Sequence, residues 1–532
     1  MRLKQVIVFT VSLVALFHLS SSPCRCQEEN HISDATQAEE DAMARLADLP
    51  LPLTLEKVID YVAHNNPTVE EARLETMSKY RQSRASWGDF EPSVNLSGGR
   101  TGLRRQNNTL EALQQNFNPT FNELNNEYSA GLGGRFFSGT GYNFGYNIKR
   151  LQNSLTTGKQ YESFVGLTAE QPLLKNFLYG SPTASLNITH KDYMIARDQF
   201  RKQLMQAVLD AETAYWNLAM AKEQARLADE SLEIAEKLYA DSKAKSQAGT
   251  VSDLDLTQAK AERDQRLALQ AQAKTKLLDA SMQLKLILSD PSITGSRMLD
   301  AIDPLTAEPV QEVVADQKER LIEQQPDLQM RRNEVDKEDI RLSYYKSQRL
   351  PELNLKGNYG WSGLGSNEDQ SWEQVKSANW PAWSLMLEVK LPLFAGIRER
   401  NELAAAKLNK KIAEQRLKAT DYELTRSLAS IERRLEELKK EIDSMTAAVE
   451  CKQLVLEMAV SRFDVGKTDM RFVYDSEEDV YDARRQQLES LFRYRQGWLQ
   501  LQYLKGTLLV NKGLEKVEKN VIVSHEDFTG DV

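Results

Sequence analysis

The stretch Glu388–Leu408, EVKLPLFAGIRERNELAAAKL, opens as a strand and ends as a helix. Val389, Leu391 and Leu393 alternate with their neighbours at the period of a strand, and Pro392 interrupts any hydrogen-bonded ladder. Beyond Gly396 the chain turns charged and alanine-rich. The two halves suit two different surroundings.

The same change of pattern occurs earlier, where LTAEQPLLKNF (Leu167–Phe177) turns around Pro172 as LEVKLPLFAGI turns around Pro392. Upstream, HNNPTVEEARLE (His64–Glu75) is echoed by EQQPDLQMRRNE (Glu323–Glu334), with Pro67 matching Pro326. The interval from Pro67 to Pro92 equals that from Pro326 to Pro351, and each later proline opens a strand-like run. Downstream, QAGTVSDLDLTQA breaks at Gly249 as DVGKTDMRFVYDS breaks at Gly466. The chain therefore reads as two copies of one plan: helix, strand, strand, helix, turn, helix. The first repeat covers 51–288 and the second 312–510, joined by a linker at 289–311. A polar lead-in at 27–50 precedes them and a charged tail at 511–532 follows. Only the first copy carries an insertion between Asn108 and Tyr161, where EYSAGLGGRFF and TGYNFGYNI resemble a glycine-rich hairpin. It is an external loop, a set of extra strands or a periplasmic elaboration.

The 532 residues carry 27% charged side chains, and mean hydropathy is −0.53, a balance that suits long solvated helices. With a formal net charge of −9 and no dense basic run, no nucleic acid partner is expected. Arg2 and Lys4, then the apolar run Val6–Leu19 and small residues at Ser20–Ser22, have the layout of a secretory signal peptide over 1–26. An N-terminal membrane anchor is the alternative, for which the run is short. Cys24 and Cys26 sit in the cleavage zone and Cys451 in a helical stretch, so no disulfide framework is expected. Cys24 as a lipidation site would have the poor signal Ser21, Ser22, Pro23 before it.

Leu424, Leu428, Ile431, Leu435, Leu438, Ile442, Met445 and Val449 follow steps of four and three, a sustained heptad seam. Leu204, Val208, Ala211, Tyr215 and Leu218 do the same in the first copy. Unbroken helices from Ala184 to Ala248 and from Ile397 to Val465 would each be roughly 100 Å long at ~1.5 Å per residue. Such seams suit a periplasmic coiled-coil adaptor or scaffold, but a rod has no use for the strands. Trp361, Trp380 and Trp383 near the second strand pair suit a membrane interface or simple strand packing. An exported chain with no apolar spanning helix crosses a membrane only as a closed β-barrel. Four strands cannot close one, since single-chain barrels start at about eight. Other subunits must complete it.

Enzyme readings fail on the residues. VGKTD (Val465–Asp469) imitates a phosphate loop, but Ser461 stands where the first glycine is needed and the segment follows a helix. The five histidines are scattered, so neither a zinc site nor a histidine-based triad is credible. No cofactor is expected.

The duplicated plan, the proline-started strands, EQPLLKNF and KLPLFAGIRER, and the paired glycine tips resemble the TolC-type outer-membrane factor family over about Leu53–Leu509. The resemblance implies an α+β, mainly α, membrane protein and a homotrimer. Four strands per chain would make a twelve-stranded outer-membrane β-barrel, and antiparallel coiled-coil helices a periplasmic α-barrel. It implies the exit duct of a tripartite efflux pump or type I secretion system. Outer membrane lipid, a periplasmic adaptor and an inner-membrane transporter would be its partners. Pro92 and Pro351 would start strands, and Pro172 and Pro392 would mark where strands become tunnel helices. Gly249 and Gly466 would tip the helix turns where the adaptor docks. Asp255, Phe472 and Asp475 would form the periplasmic gate. On the bland alternative, Asp253, Asp255, Asp475, Glu477 and Glu478 only solvate helix faces.

Overall fold

The computed structural model describes residues 53–115, 117–155, 158–248, 252–289, 298–306, 325–391 and 396–514. The expected export signal, Gly249, Pro392 and nearly all of the tail lie outside them. The elements run α1 (Leu55–Asn65), α2 (Pro67–Ala85), β1 (Ser93–Gln106), α3 (Thr109–Gln114), β2 (Thr120–Arg135), β3 (Gly141–Leu151) and β4 (Gln160–Pro172). Then come α4 (Ser181–Gln247), α5 (Asp253–Leu288), α6 (Pro326–Gln348), β5 (Glu352–Gly365), α7 (Glu368–Ser377) and β6 (Pro381–Lys390). The chain closes with α8 (Ile397–Asp464), α9 (Met470–Lys505) and α10 (Leu508–Asn511). They fall into a strand-bearing unit (Ala72–Lys202 and Ile322–Arg426) and a helical unit (Met1–Glu71, Gln203–Leu321 and Ser427–Val532).

All six strands form one antiparallel sheet in chain order, β1-β2-β3-β4-β5-β6. The four strands expected per chain are β1, β4, β5 and β6. The insertion supplies two more, so the count among the described residues is six, and of its three readings the extra strands are realised. Pro92 stands directly before β1 and Pro351 directly before β5, where a missing amide hydrogen costs no ladder bond. Pro172 ends β4, and Asn176 and Leu178 in left-handed conformation then turn the chain toward α4. Three contacts fix this corner to the end of α6 and the start of β5. The Leu173 amide donates to the Leu353 carbonyl (2.8 Å), the Asn176 amide donates to Ser347 Oγ (3.1 Å), and Lys175 pairs with Glu352 (3.1 Å).

The helical segments of the strand-bearing unit are joined by charge and by small contacts. Thr76 of α2 donates to the Ala196 carbonyl of α4 (3.1 Å), and the Tyr80 and Tyr193 rings lie 5.5 Å apart. Lys202–Asp327, Lys191–Asp336 and Asp192–Lys337 tie α4 to α6 at 2.6–2.9 Å, and Lys410 of α8 meets Asp339 of α6 at 2.6 Å.

In the helical unit the predicted seam is the core. Leu428, Ile431, Leu435, Leu438 and Ile442 of α8 pack on Tyr494 and Leu501 of α9. On α4, Leu204, Val208, Ala211, Tyr215 and Leu218 are buried. The Tyr215 hydroxyl donates to Asp303 Oδ2 (2.6 Å), and the same carboxylate oxygen accepts from the Leu55 amide (2.9 Å). A parallel bridge from Leu53 to Ala301 completes this knot.

Candidate functional site

The sheet has two chemically opposite faces. Side chains alternate across a strand, and on β5 and β6 one face carries Leu355, Tyr359, Trp361, Trp383, Leu385 and Leu387. The other carries Asn354, Lys356, Asn358, Ser384, Glu388 and Lys390. Along the apolar face the paired positions Val94, Leu132, Phe144, Leu167, Tyr359 and Trp383 form one row across all six strands. They are 38–72% exposed, an apolar belt that hydrocarbon satisfies and water does not. Trp383 and Trp361 stand in it, and Trp380 lies just before β6. The polar face is laced with charge pairs, Glu127–Lys149 at 3.2 Å and Lys356–Glu388 at 2.7 Å among them.

One row on the polar face is nearly bare: Asn95, Gly131, Gly145, Gly166, Gly360 and Ala382 are successive partners from β1 to β6. A Cβ on Gly145 would stand 2.9 Å from the Ala130 carbonyl oxygen and one on Gly166 2.5 Å from that of Tyr359. On Gly360 it would overlap the Val165 carbonyl oxygen. Strands approach this closely on the inside of a bend, so the polar face is concave along this row.

The second feature is the end of the helical unit where α4 passes to α5 and α8 to α9. Gly466 closes α8 at a φ of 71°. Its amide donates to the Phe463 carbonyl (2.9 Å) and that of Lys467 to Arg462 (2.8 Å), the paired bonds of a Schellman cap. The phosphate-loop imitation at Val465–Asp469 is therefore a helix turn. A Cβ on Gly466 meets nothing within 4 Å, so Gly466→Ala is charged only the left-handed backbone cost, about 1 kcal/mol. Thermal unfolding of the full-length protein is expected to shift down by a few degrees at most.

Asp255 has a local task at the other turn. Its backbone amide donates to Ser252 Oγ (3.2 Å) and its carboxylate accepts from that hydroxyl (2.7 Å), a capping box that starts α5. Phe472 on α9 is 46% exposed, and Asp475, one turn on, is exposed with Arg471 only at 4.0 Å. Leu254 and Val465 beside the turns are exposed as well. The two turns share one end, because Ala235 and Leu238 of α4, Ala259 of α5, Leu456 and Ala459 of α8, and Val473 of α9 form a single core just inside them.

Within that bundle lies a group the sequence reading passed over. Arg266 of α5 is 1% exposed and meets Glu477 of α9 at 3.0 Å, with Glu478 at 3.7 Å. Burial pushes the Glu477 carboxyl above the usual range, while the nearby Ser231 hydroxyl and the Arg266 charge oppose that shift. Burial also pushes the neighbouring Tyr474 hydroxyl up to about 12. Glu477 thus does not solvate a helix face; it is a core residue. The signal was present in the sequence, because Ala259, Arg266, Ala273 and Ala280 fall at heptad spacing and are all buried. One arginine among alanines at such positions needs an internal partner.

The family model for outer membrane efflux proteins matches residues 140–289 and 319–507. Outer membrane protein TolC of Vibrio cholerae is 22% identical over 70% of this chain and 84% of its own length. Proteases secretion protein PrtF of Dickeya chrysanthemi is 23% identical over 66% of this chain and 75% of its own. Among solved structures, the CmeC outer membrane channel of Campylobacter jejuni superimposes with a TM-score of 0.59 at 16% identity, over 88% of this chain and 90% of that one. A membrane protein from Pseudomonas aeruginosa gives 0.60 at 17% identity, over 85% and 90%. The long paired helices, the belted sheet and these likenesses agree: the chain belongs to the outer membrane efflux protein family, transport channels of the outer membrane whose helices extend into the periplasm.

Proposed function

We propose that three copies of this chain assemble into an outer-membrane channel, the exit duct of a tripartite efflux pump or type I secretion system. It passes substrates from periplasm to exterior. The observation that carries this reading is the sheet itself: an apolar belt on one face, a charged concave face on the other, and both edge strands, β1 and β6, without a partner among the described residues. A spanning sheet cannot keep open edges in lipid. Further copies are the natural source of the missing pairs, and an even number of strands lets each junction be antiparallel. We read the chain as two repeats, 51–288 and 312–510, whose turns at Gly249 and Gly466 meet a periplasmic adaptor attached to an inner-membrane transporter.

The closed state is narrowed at those turns. Phe472, exposed in the single chain, and Asp475 from each copy supply an apolar constriction with a carboxylate ring, which limits ions by dewetting and by charge. Asp255 belongs to the same end through its helix cap. The test is conductance in planar bilayers. Replacing Phe472 and Asp475 together by alanine is expected to raise the closed-state current several-fold, and an unchanged current would overturn this assignment of the gate.

A further inference from the structure

We propose that the barrel has eighteen strands, six from each of three copies, with the β2–β3 hairpin forming part of the wall. The inference rests on the trimeric reading above and adds the strand count. A loop that merely decorates a barrel has no reason to copy the wall's register, faces and curvature. This hairpin copies all three.

The ladder comes first. β2 pairs with β1 without a break from Ser93↔Gly133 to Gln106↔Thr120, and β3 pairs with β4 from Gly141↔Glu170 to Leu151↔Gln160. Direct pairing of β1 with β4, which twelve strands require, would break both ladders. The faces come second. Leu132 and Phe144 fill the two hairpin positions of the six-residue apolar row, and Glu127 and Lys149 continue the charged face. Leu132 and Phe144 are 38% and 55% exposed, as lipid-facing neighbours are. The bend comes third. Gly131 and Gly145 of the hairpin stand in one row with Gly166 and Gly360; a Cβ on Gly145, Gly166 or Gly360 would run into neighbouring backbone, and one on Gly131 would stand 3.2 Å from the Phe144 carbonyl oxygen.

The ends of the strands agree. The β2–β3 turn is short, closed by the Phe136 amide on the Thr140 carbonyl (2.9 Å), and it is held at the end of the sheet where the helices leave. There the Phe137 ring lies 4.4 Å from that of Phe90, and Thr183 donates to the Phe137 carbonyl (3.3 Å). The longer connections, 107–119 with α3 and 366–380 with α7, lie at the opposite end. Short periplasmic turns and long outer loops are the rule for outer-membrane barrels. Two added strands per copy keep the parity even. Diameter grows roughly linearly with strand number, so the barrel would be roughly half again as wide as one of twelve strands, in the range that encloses an open aqueous channel.

The test uses the full-length protein with Cys451→Ser, oxidised in isolated outer membranes and then purified as the trimer. Ser97 and Ser129 are cross-strand partners with hydroxyls 2.7 Å apart, and Asn143 and Thr168 are partners across β3 and β4. Cysteines at either pair are expected to form a disulfide within one chain. Cysteines at Asn95 and Thr168 are separated by three strand spacings and a two-residue offset along the strands, roughly 16 Å, and are expected to stay reduced. Electron cryomicroscopy of the same trimer in lipid nanodiscs is expected to count eighteen strands. A disulfide between positions 95 and 168, or a twelve-stranded wall with 108–161 outside it, overturns the count and leaves the trimer standing. A preparation containing no trimer overturns the assembly on which the count depends.

Discussion

Gly360→Ala abolishes the assembled barrel, while Gly99→Ala leaves it intact. Both glycines lie on strands of the same sheet, but a Cβ on Gly360 would overlap the Val165 carbonyl oxygen and stand 2.7 Å from the Gly166 Cα. Backbone atoms cannot rotate aside as a side chain can, so β4 and β5 must separate there. Overpacking of this kind costs about 3 kcal/mol per copy at the upper end of its usual range, and assembly of three copies multiplies the penalty. A Cβ on Gly99 meets nothing within 4 Å. The measurement is the yield of heat-resistant trimer in outer-membrane extracts on unheated denaturing gels. The account expects at least a tenfold loss for the first variant and wild-type yield for the second.

Arg266→Met destabilises the helical bundle by about 3–5 kcal/mol at neutral pH, because Glu477 is then a buried carboxylate without its cation. Adding Glu477→Leu recovers most of that loss, since an apolar pair of similar volume substitutes well for a buried ion pair. The pH dependence has a definite sign. Burial raises the Glu477 pKa above its ordinary 4.5, so its contribution favours the folded state below that value and is lost as pH rises through the raised value. Removing Arg266 takes away a charge that holds the pKa down, which widens the window upward. The single variant therefore regains stability on acidification from pH 7 toward pH 5, and the double variant shows much less of this slope. Thermal unfolding of the full-length protein in detergent at the two pH values reads both effects.

Much of the architecture was legible because two periodicities are hard to confuse. Leu428, Ile431, Leu435, Leu438 and Ile442 mark a helix seam at steps of three and four, and that seam is the buried interface. Pro92, Pro172 and Pro351 punctuate the strands where a missing amide hydrogen is tolerated. The extra hairpin was seen as glycine-rich but could not be placed. Gly131, Gly133, Gly134 and Gly145 depress strand propensity, and only the fold reveals that a Cβ on Gly145 would crowd the Ala130 carbonyl oxygen and that the other three stand close to neighbouring atoms of β3. Asp255 is a gate carboxylate on the family resemblance, by its place after Gly249, yet its first partner is Ser252 in a helix cap, a local pattern readable from S-D-L-D itself. The Arg266–Glu477 pair was missed for the opposite reason. Each residue looks like surface charge alone, and the pairing joins positions far apart in the chain.

The most direct test is the native mass of the full-length protein extracted from isolated outer membranes in mild detergent, set against the 60.5 kDa of one chain. The account predicts three chains per particle in the outer-membrane fraction, once detergent and any cleaved leader are subtracted. A monomer or dimer recovered from the soluble periplasm would contradict it, for the belted sheet would then have neither lipid nor partner strands.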